Sequence, residues 1–122
     1  MTDPRALADR TLATWNEPDA ARRRVLLEAL WAPDGRYADP LMSAAGPHGI
    51  AAMIEAARER FAGLAFSVHG TPDGHGAFVR FSWTLAPAGG AAVAGGTDVA
   101  RLDAHGRLAE VVGFIDFAPA AG

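Results

Sequence analysis

Two carboxylates stand where a purely structural strand would not put them. Asp98 lies within the segment 91–102, AAVAGGTDVARL, among small and apolar neighbours. Strands of that composition face a core, and acidic residues are depleted from them. Strict alternation puts Ala94, Gly96, Asp98, Ala100 and Leu102 on one face, and Val93, Gly95, Thr97, Val99 and Arg101 on the other. A face of small residues around one carboxyl has the composition of a cavity wall. In such a wall the pKa rises, which suits a general acid or a neutral hydrogen-bond donor. Two other arrangements also satisfy the group: an ion pair with an arginine such as Arg80 across the sheet, or a wet edge.

The second carboxylate is Asp39, two residues after Tyr37, so on a strand both side chains point the same way. Asp39 also precedes Pro40, and an aspartate before proline is ordinary turn grammar. Two carboxyls on one cavity permit a division of labour. The more solvated one abstracts a proton, and the protonated one stabilises an enolate oxygen. His69, Asp73 and His75 gather near a turn and His105 in another, without the spacing of a metal site. His48 precedes a helix and is placed either at a cavity mouth or in a capping loop. Ser82 lacks a Gly-x-Ser-x-Gly setting, and Gly95-Gly96-Thr97-Asp98 is inside a strand, unlike a dinucleotide loop.

Composition removes whole classes of chemistry. The chain has no cysteine and its positive groups are all arginine. Thiol nucleophiles, thiolate metal sites, Schiff-base lysines and a P-loop lysine are therefore excluded. The net charge is −3, with no basic stripe for nucleic acid. The run Arg22-Arg23-Arg24 reads as a solvated helix face. No apolar stretch approaches the roughly 18 residues that span a bilayer, and the N-terminal MTDPRALADR does not read as a secretory signal. The expectation is a cytoplasmic protein with no membrane partner, a single domain over residues 1–122.

The elements that must position the carboxylates follow in order. Asp3-Pro4 starts a helix whose stripe is Leu7, Thr11 and Trp15. A second helix buries Val25, Leu26, Ala29 and Leu30. Pro33-Asp34-Gly35 is a turn, 36–41 a short strand and 43–48 a small-residue loop. A third helix over 49–61 turns Ile50, Met53, Ile54, Ala57 and Phe61 to one side. From Leu64 the period becomes two. Strands follow over 64–69, 77–85, 91–102 and 107–117, with turns at 71–76 and 103–106. Gly95-Gly96 predicts a bulge or bend. Helices first and an antiparallel meander last make an α+β pattern, with helices on one face of a curved sheet. Ala supplies much of the apolar count, so Trp15, Trp31, Trp83 and the phenylalanines carry a large share of the burial.

The Trp-containing first helix, Tyr37-Ala38-Asp39-Pro40, Gly49-Ile50-x-x-Met53-Ile54, and Gly96-Thr97-Asp98 through Gly106-Arg107-Leu108 together resemble the NTF2-like superfamily. Within it the chain is similar to the SnoaL-like group of polyketide cyclases, near ketosteroid isomerase. The resemblance covers essentially the whole chain. It implies a cone-shaped fold, three N-terminal helices on a curved, mostly antiparallel sheet, and a pocket for a small apolar organic ligand with no cofactor. The ketosteroid isomerase pattern puts its general base on Asp39 and its oxyanion-hole aspartate on Asp98. Its oxyanion-hole tyrosine falls on Thr11 and its supporting tyrosine on Ala57. The pocket or supporting set is then Thr11, Trp15, Tyr37, His48, Met53, Ala57 and Trp83. The Arg-x-Asp pair of limonene epoxide hydrolases is not matched, because Gly96 stands in the arginine's place. Relatives of this kind form homodimers through the outer sheet face, to which Phe81, Trp83, Val99 or Phe114 would contribute.

Two readings follow. One is a cofactor-free isomerase, cyclase or dehydratase acting on a carbonyl compound through Asp39 and Asp98. The other is a non-catalytic ligand-binding or dimerisation domain of the same shape, since the fold hosts both.

Overall fold

Asp3 accepts a hydrogen bond from the Arg5 amide at 3.0 Å and so caps helix α1, Pro4–Asn16, with proline in its first turn. In the computed structural model, which describes residues 2–119, that helix buries Leu7, Ala8, Thr11, Leu12 and Thr14. Asp19 caps helix α2, Ala20–Leu30, by accepting from the Arg22 amide at 2.8 Å. Of its expected buried face only Leu30 is buried; Val25, Leu26 and Ala29 are exposed. Arg23, Leu27 and Leu30 point inward, while Val25 is 69% and Leu26 39% exposed. The stripe follows i, i+4, i+7 from Arg23. An arginine can start it because its stem lies along the core and its Nη1 donates to the Glu17 carbonyl at 2.7 Å.

Strand β1 is Trp31–Ala38, longer than the sequence suggested. Pro33-Asp34-Gly35 is an irregularity inside it, where the register with its parallel neighbour shifts between Trp31 and Arg36. A Cβ at Gly35 would lie 2.6 Å from the Trp31 ring, so only glycine lets that ring fold back. The expected loop contains strand β2, Ser43–Ala45, antiparallel to β1. Helix α3 is Gly46–Arg60 and begins at a Gly46-Pro47 start.

The remaining strands are β3 Leu64–His75, β4 Phe78–Pro87, β5 Ala94–Leu102 and β6 Leu108–Phe117. β3 continues through most of the expected 71–76 turn with a register shift between His69 and Asp73, and the chain reverses only at its last residue, Gly76. At the 103–106 turn, Asp103 Oδ1 accepts from the His105 and Arg107 amides, and Gly106 takes a φ of +77°.

The strands form one mixed sheet in the order β2-β1-β6-β5-β4-β3. Only β1 and β6 run parallel; the other neighbours are antiparallel. The bulge expected at Gly95-Gly96 is present, shifting the β5–β6 register. Three helices cover one face of this curved sheet, and the core between them includes Leu7, Leu27, Ile54, Phe81, Leu108 and Val111. The α+β architecture expected from the sequence is the one that forms. Among the described residues no helix is long and apolar enough to cross a membrane.

Candidate functional site

One row of residues crosses the helix-covered face of the sheet. Register pairs Phe81 with Asp98 and Asp98 with Gly113. Ala38 pairs with Val112, so Asp39, one residue past the end of β1, extends the row beyond Gly113. The two aspartates are thus two strand spacings apart, about 10 Å between backbones. Gly113 fills the gap with no side chain. A Cβ placed there would lie 3.0 Å from Asp98 Oδ1, 3.2 Å from Asp39 Cβ and 3.3 Å from the Tyr37 hydroxyl. Three polar side chains, Tyr37 and Asp39 from the end of β1 and Asp98 from β5, converge on that one empty position on β6.

Asp98 is 5% exposed. The Trp83 indole Nε1 donates to its Oδ1 at 3.1 Å. Trp83 sits directly opposite Gly96, two residues from Asp98 on the same face, so the indole reaches the carboxyl along the diagonal. Gly96 makes this possible, because a Cβ there would lie 2.8 Å from Trp83 Cε2. Asp98 Oδ2 has no hydrogen-bond partner among the described residues. Neither alternative placement of Asp98 occurs: Arg80 pairs with Asp73 at 3.4 Å, and the carboxyl is buried rather than at a wet edge. Burial pushes the Asp98 pKa up to about 7; the Trp83 bond opposes this and the Asp39 charge adds to it.

Asp39 is held differently. Its Oδ2 accepts from the Tyr37 hydroxyl at 2.7 Å. Its Oδ1 accepts from the amides of Leu41 and Met42 at 2.7 and 2.9 Å, and its own amide donates to the Met42 carbonyl at 2.9 Å. The turn before and after Pro40 is therefore built on this carboxylate, which has about four lone-pair directions and uses three. Burial, the Asp98 charge and the bond to Asp39 push the Tyr37 pKa well above the usual tyrosine range, so its hydroxyl remains a donor.

Both carboxyls line a cavity of about 150 Å³. Its interior wall is aromatic and aliphatic: Leu12, Trp15, Phe66, Trp83, Leu85 and Ile115. The rings pack in series, Tyr37 on Trp15 at 5.7 Å, Trp15 on Phe66 at 5.6 Å and Phe66 on Trp83 at 5.2 Å between centroids. The exposed lining residues Leu41, Arg60, Ala118 and Pro119 mark the mouth.

The structure brings Trp15, Tyr37, Asp39, Trp83 and Asp98 together on this cavity. It leaves Thr11, His48, Met53 and Ala57 off its wall. Thr11 is buried and its hydroxyl donates to the Leu7 carbonyl at 2.8 Å, one turn back along α1, which leaves the cavity side to Leu12 and Trp15. Met53 and Ala57 are buried on the inner side of α3. His48 is exposed in the first turn of α3. Phe81 and Trp83 face the helices, so neither belongs to the outer sheet face. Gly113, Phe66 and Arg60 were not singled out by the sequence. A glycine inside a strand is the signal that could have found Gly113, because it marks close approach by another group. Among the described residues no cluster of three or more His, Asp or Glu is placed to hold a metal ion.

Comparison with known proteins agrees with this architecture. The family described as the SnoaL-like domain matches residues 8–111. A SnoaL-like family member from Agrobacterium tumefaciens, named as a candidate isomerase, is 55% identical, with a TM-score of 0.92 over 96% of this chain and 100% of its own. An NTF2-like protein from Exiguobacterium sp. 255-15 superposes with a TM-score of 0.71 at 18% identity, over 90% of this chain and 98% of its own. A protein named as a candidate SnoaL-like polyketide cyclase, from Jannaschia sp. CCS1, gives 0.69 at 17% identity, over 90% and 85%. At those two identities the likeness is one of fold. Among curated proteins nothing matches the chain.

Proposed function

The chain belongs to the SnoaL-like family of the NTF2-like superfamily, and from that premise we propose that its cavity is a cofactor-independent acid–base site for a small carbonyl compound. The reaction is proton transfer next to the carbonyl, as in an isomerase, cyclase or dehydratase. One observation carries this reading: Asp98 is buried on an apolar cavity with one oxygen held by Trp83, the other without a protein partner, and no arginine paired to it. A carboxyl whose pKa sits near the working pH is suited to both giving and taking a proton.

The roles differ from the simplest two-aspartate scheme. Asp39 accepts three hydrogen bonds and anchors its own turn, so its function is to hold Tyr37 and add negative potential beside Asp98. Asp98 moves the proton: its carboxylate takes it from the carbon next to the carbonyl, and the resulting acid returns it to carbon or to oxygen. The cavity volume suits a ligand about the size of a single six-membered ring, since an apolar cavity of this volume accommodates benzene.

The test is hydrogen exchange at carbon. Cyclohexanone in D2O, followed by proton NMR, should exchange its α-protons faster with the protein, and Asp98→Asn should slow this by roughly 100-fold or more. Equal rates for the two proteins would remove the catalytic reading. The occupied lone pairs of Asp39 favour a second reading, a ligand-binding domain without turnover. It predicts binding without exchange.

The outer sheet face is left uncovered by the helices and presents Val112 and Phe114, both exposed. Exposed apolar side chains side by side on that face support a homodimer through it. Phe114→Glu should then lower the mass measured by sedimentation.

A further inference from the structure

Arg60 is the only basic residue on the cavity lining, and nothing in the fold of the described residues uses it. The ion pairs take Arg5, Arg24, Arg80 and Arg101, and carbonyl groups take Arg23 and Arg58. Arg10, Arg22, Arg36, Arg60 and Arg107 have neither kind of partner among the described residues, and of these Arg60 alone lines the cavity. A cation in the last turn of α3 complements the helix dipole. Arg58 already supplies one there, with its Nη1 on the Trp15 carbonyl at 2.7 Å. The dipole does not account for a second guanidinium on the rim of an otherwise apolar opening.

Charge along the cavity is ordered by depth. The Asp98 carboxyl is buried on the sheet side, Asp39 is half-buried and spends its oxygens on Tyr37 and the amides of Leu41 and Met42, and Arg60 lies among the exposed residues of the mouth. Desolvation disfavours an anion at the buried Asp98 end, and the guanidinium attracts one at the rim. An apolar ring with a carbonyl suits the deep end, where the interior wall is aromatic. The guanidinium is a planar fork matched to a carboxylate. The geometry points to an oxo acid as the ligand class: a carbonyl compound no larger than one small ring, seated carbonyl-first against Asp98, with a carboxylate held at the mouth by Arg60.

This inference rests on the cavity being the ligand site proposed above, but not on its catalytic role. Trp15 and Trp83 line the cavity, so bound ligand reports itself through intrinsic fluorescence. The probes are 4-oxocyclohexanecarboxylate and its uncharged isostere, 4-oxocyclohexanecarboxamide, titrated at pH 6 and low salt. At that pH Asp98 is mostly protonated, and the probe acid is ionised. The expected result is saturable quenching by both, with the acid bound about three- to fivefold tighter, the range an exposed ion pair supplies. High salt should narrow the difference, Arg60→Gln should abolish it, and Arg60→Lys should keep part of it. Asp98→Asn should lose exchange activity yet retain the preference, which separates failure of the catalytic reading from failure of this one. Equal binding of acid and amide, tighter binding of the amide, a preference that survives Arg60→Gln, or no saturable quenching by either probe would each overturn the assignment.

Discussion

The Trp83 indole Nε1 lies 3.1 Å from Asp98 Oδ1, and this bond crosses from β4 to β5 on the diagonal because Gly96 leaves room for the ring. Among the described residues it is the one hydrogen bond that favours the charged form of a carboxyl that burial pushes toward the neutral form. The site therefore holds its proton loosely rather than permanently.

Trp83→Phe tests that balance. Removing the donor removes the influence that lowers the Asp98 pKa, so the pKa should move above about 7. In a titration of ¹³C-labelled aspartate followed by NMR, the buried carboxyl should shift to higher pH in the variant. An unchanged midpoint would mean the indole contributes packing alone. Any exchange activity should follow the same displacement along the pH axis.

Asp98 also makes stability depend on pH. Its ordinary pKa is 3.8, and in the fold it is about 7. The folded protein thus binds more protons than the unfolded chain between those values. The group's favourable contribution is complete below about pH 3.8 and falls away as pH rises toward about 7. Asp98→Asn should flatten this part of the stability curve and make the protein more stable at pH 8, on the order of a few kcal/mol at about 1.4 kcal/mol per pKa unit. Urea midpoints measured at pH 5 and pH 8 give the comparison. A variant with the same pH slope as the parent would show that Asp98 is not the responsible group.

How much of this could be read from the chain varies with the range of the interaction. Asp98 was visible because alternation over a strand is local, and a carboxyl among Ala and Gly violates the local pattern. The bulge at Gly95-Gly96 and the 103–106 turn were visible for the same reason. The face of α2 was not, because Val25 and Leu26 look more core-like than Arg23. Only the tertiary position of the Glu17 carbonyl makes the arginine the better inward residue. Likewise β2 has three residues, too few for any period, and exists because β1 offers it an edge. In the site, Thr11 falls on the expected turn of α1, but its hydroxyl bonds back to Leu7 and does not reach the cavity. Arg60 looked like one more charge on a polar helix face until the fold placed it on the cavity rim.

Tyr37→Phe separates the two aspartates. The hydroxyl donates to Asp39 Oδ2 at 2.7 Å, and its loss leaves that oxygen without its side-chain donor while the two amide donors to Oδ1 persist. Hydrogen bonds to charged groups contribute about 1.5–3 kcal/mol, so a stability loss of about that size is expected in urea at pH 7. The ring remains, and with it the contact to Trp15. A loss well below that range would show that Asp39 is held by the backbone of its own turn alone.

Gly113 and Gly96 offer a graded pair. An alanine methyl at Gly113 would meet Asp98 Oδ1 at 3.0 Å, Asp39 Cβ at 3.2 Å and the Tyr37 hydroxyl at 3.3 Å. Two of these are ends of side chains, which can yield by a few tenths of an ångström. At Gly96 the methyl would overlap the Phe114 carbonyl oxygen, which is backbone, as well as the Trp83 ring. A hydrogen-bonded strand cannot retreat without breaking its ladder, so the second substitution costs more. Gly113→Ala should destabilise by about 1–2 kcal/mol and Gly96→Ala by about 3 kcal/mol or more. The functional effects should rank the other way per unit of stability. Gly113→Ala forces Asp98 and Tyr37 apart while leaving Trp83 in place, so ligand binding should fall in a protein that still folds. Urea denaturation and tryptophan quenching on the same samples measure both quantities. A Gly113→Ala protein that binds its ligand like the parent would show that the convergence of Asp98, Asp39 and Tyr37 on that position is a packing feature without consequence for the cavity.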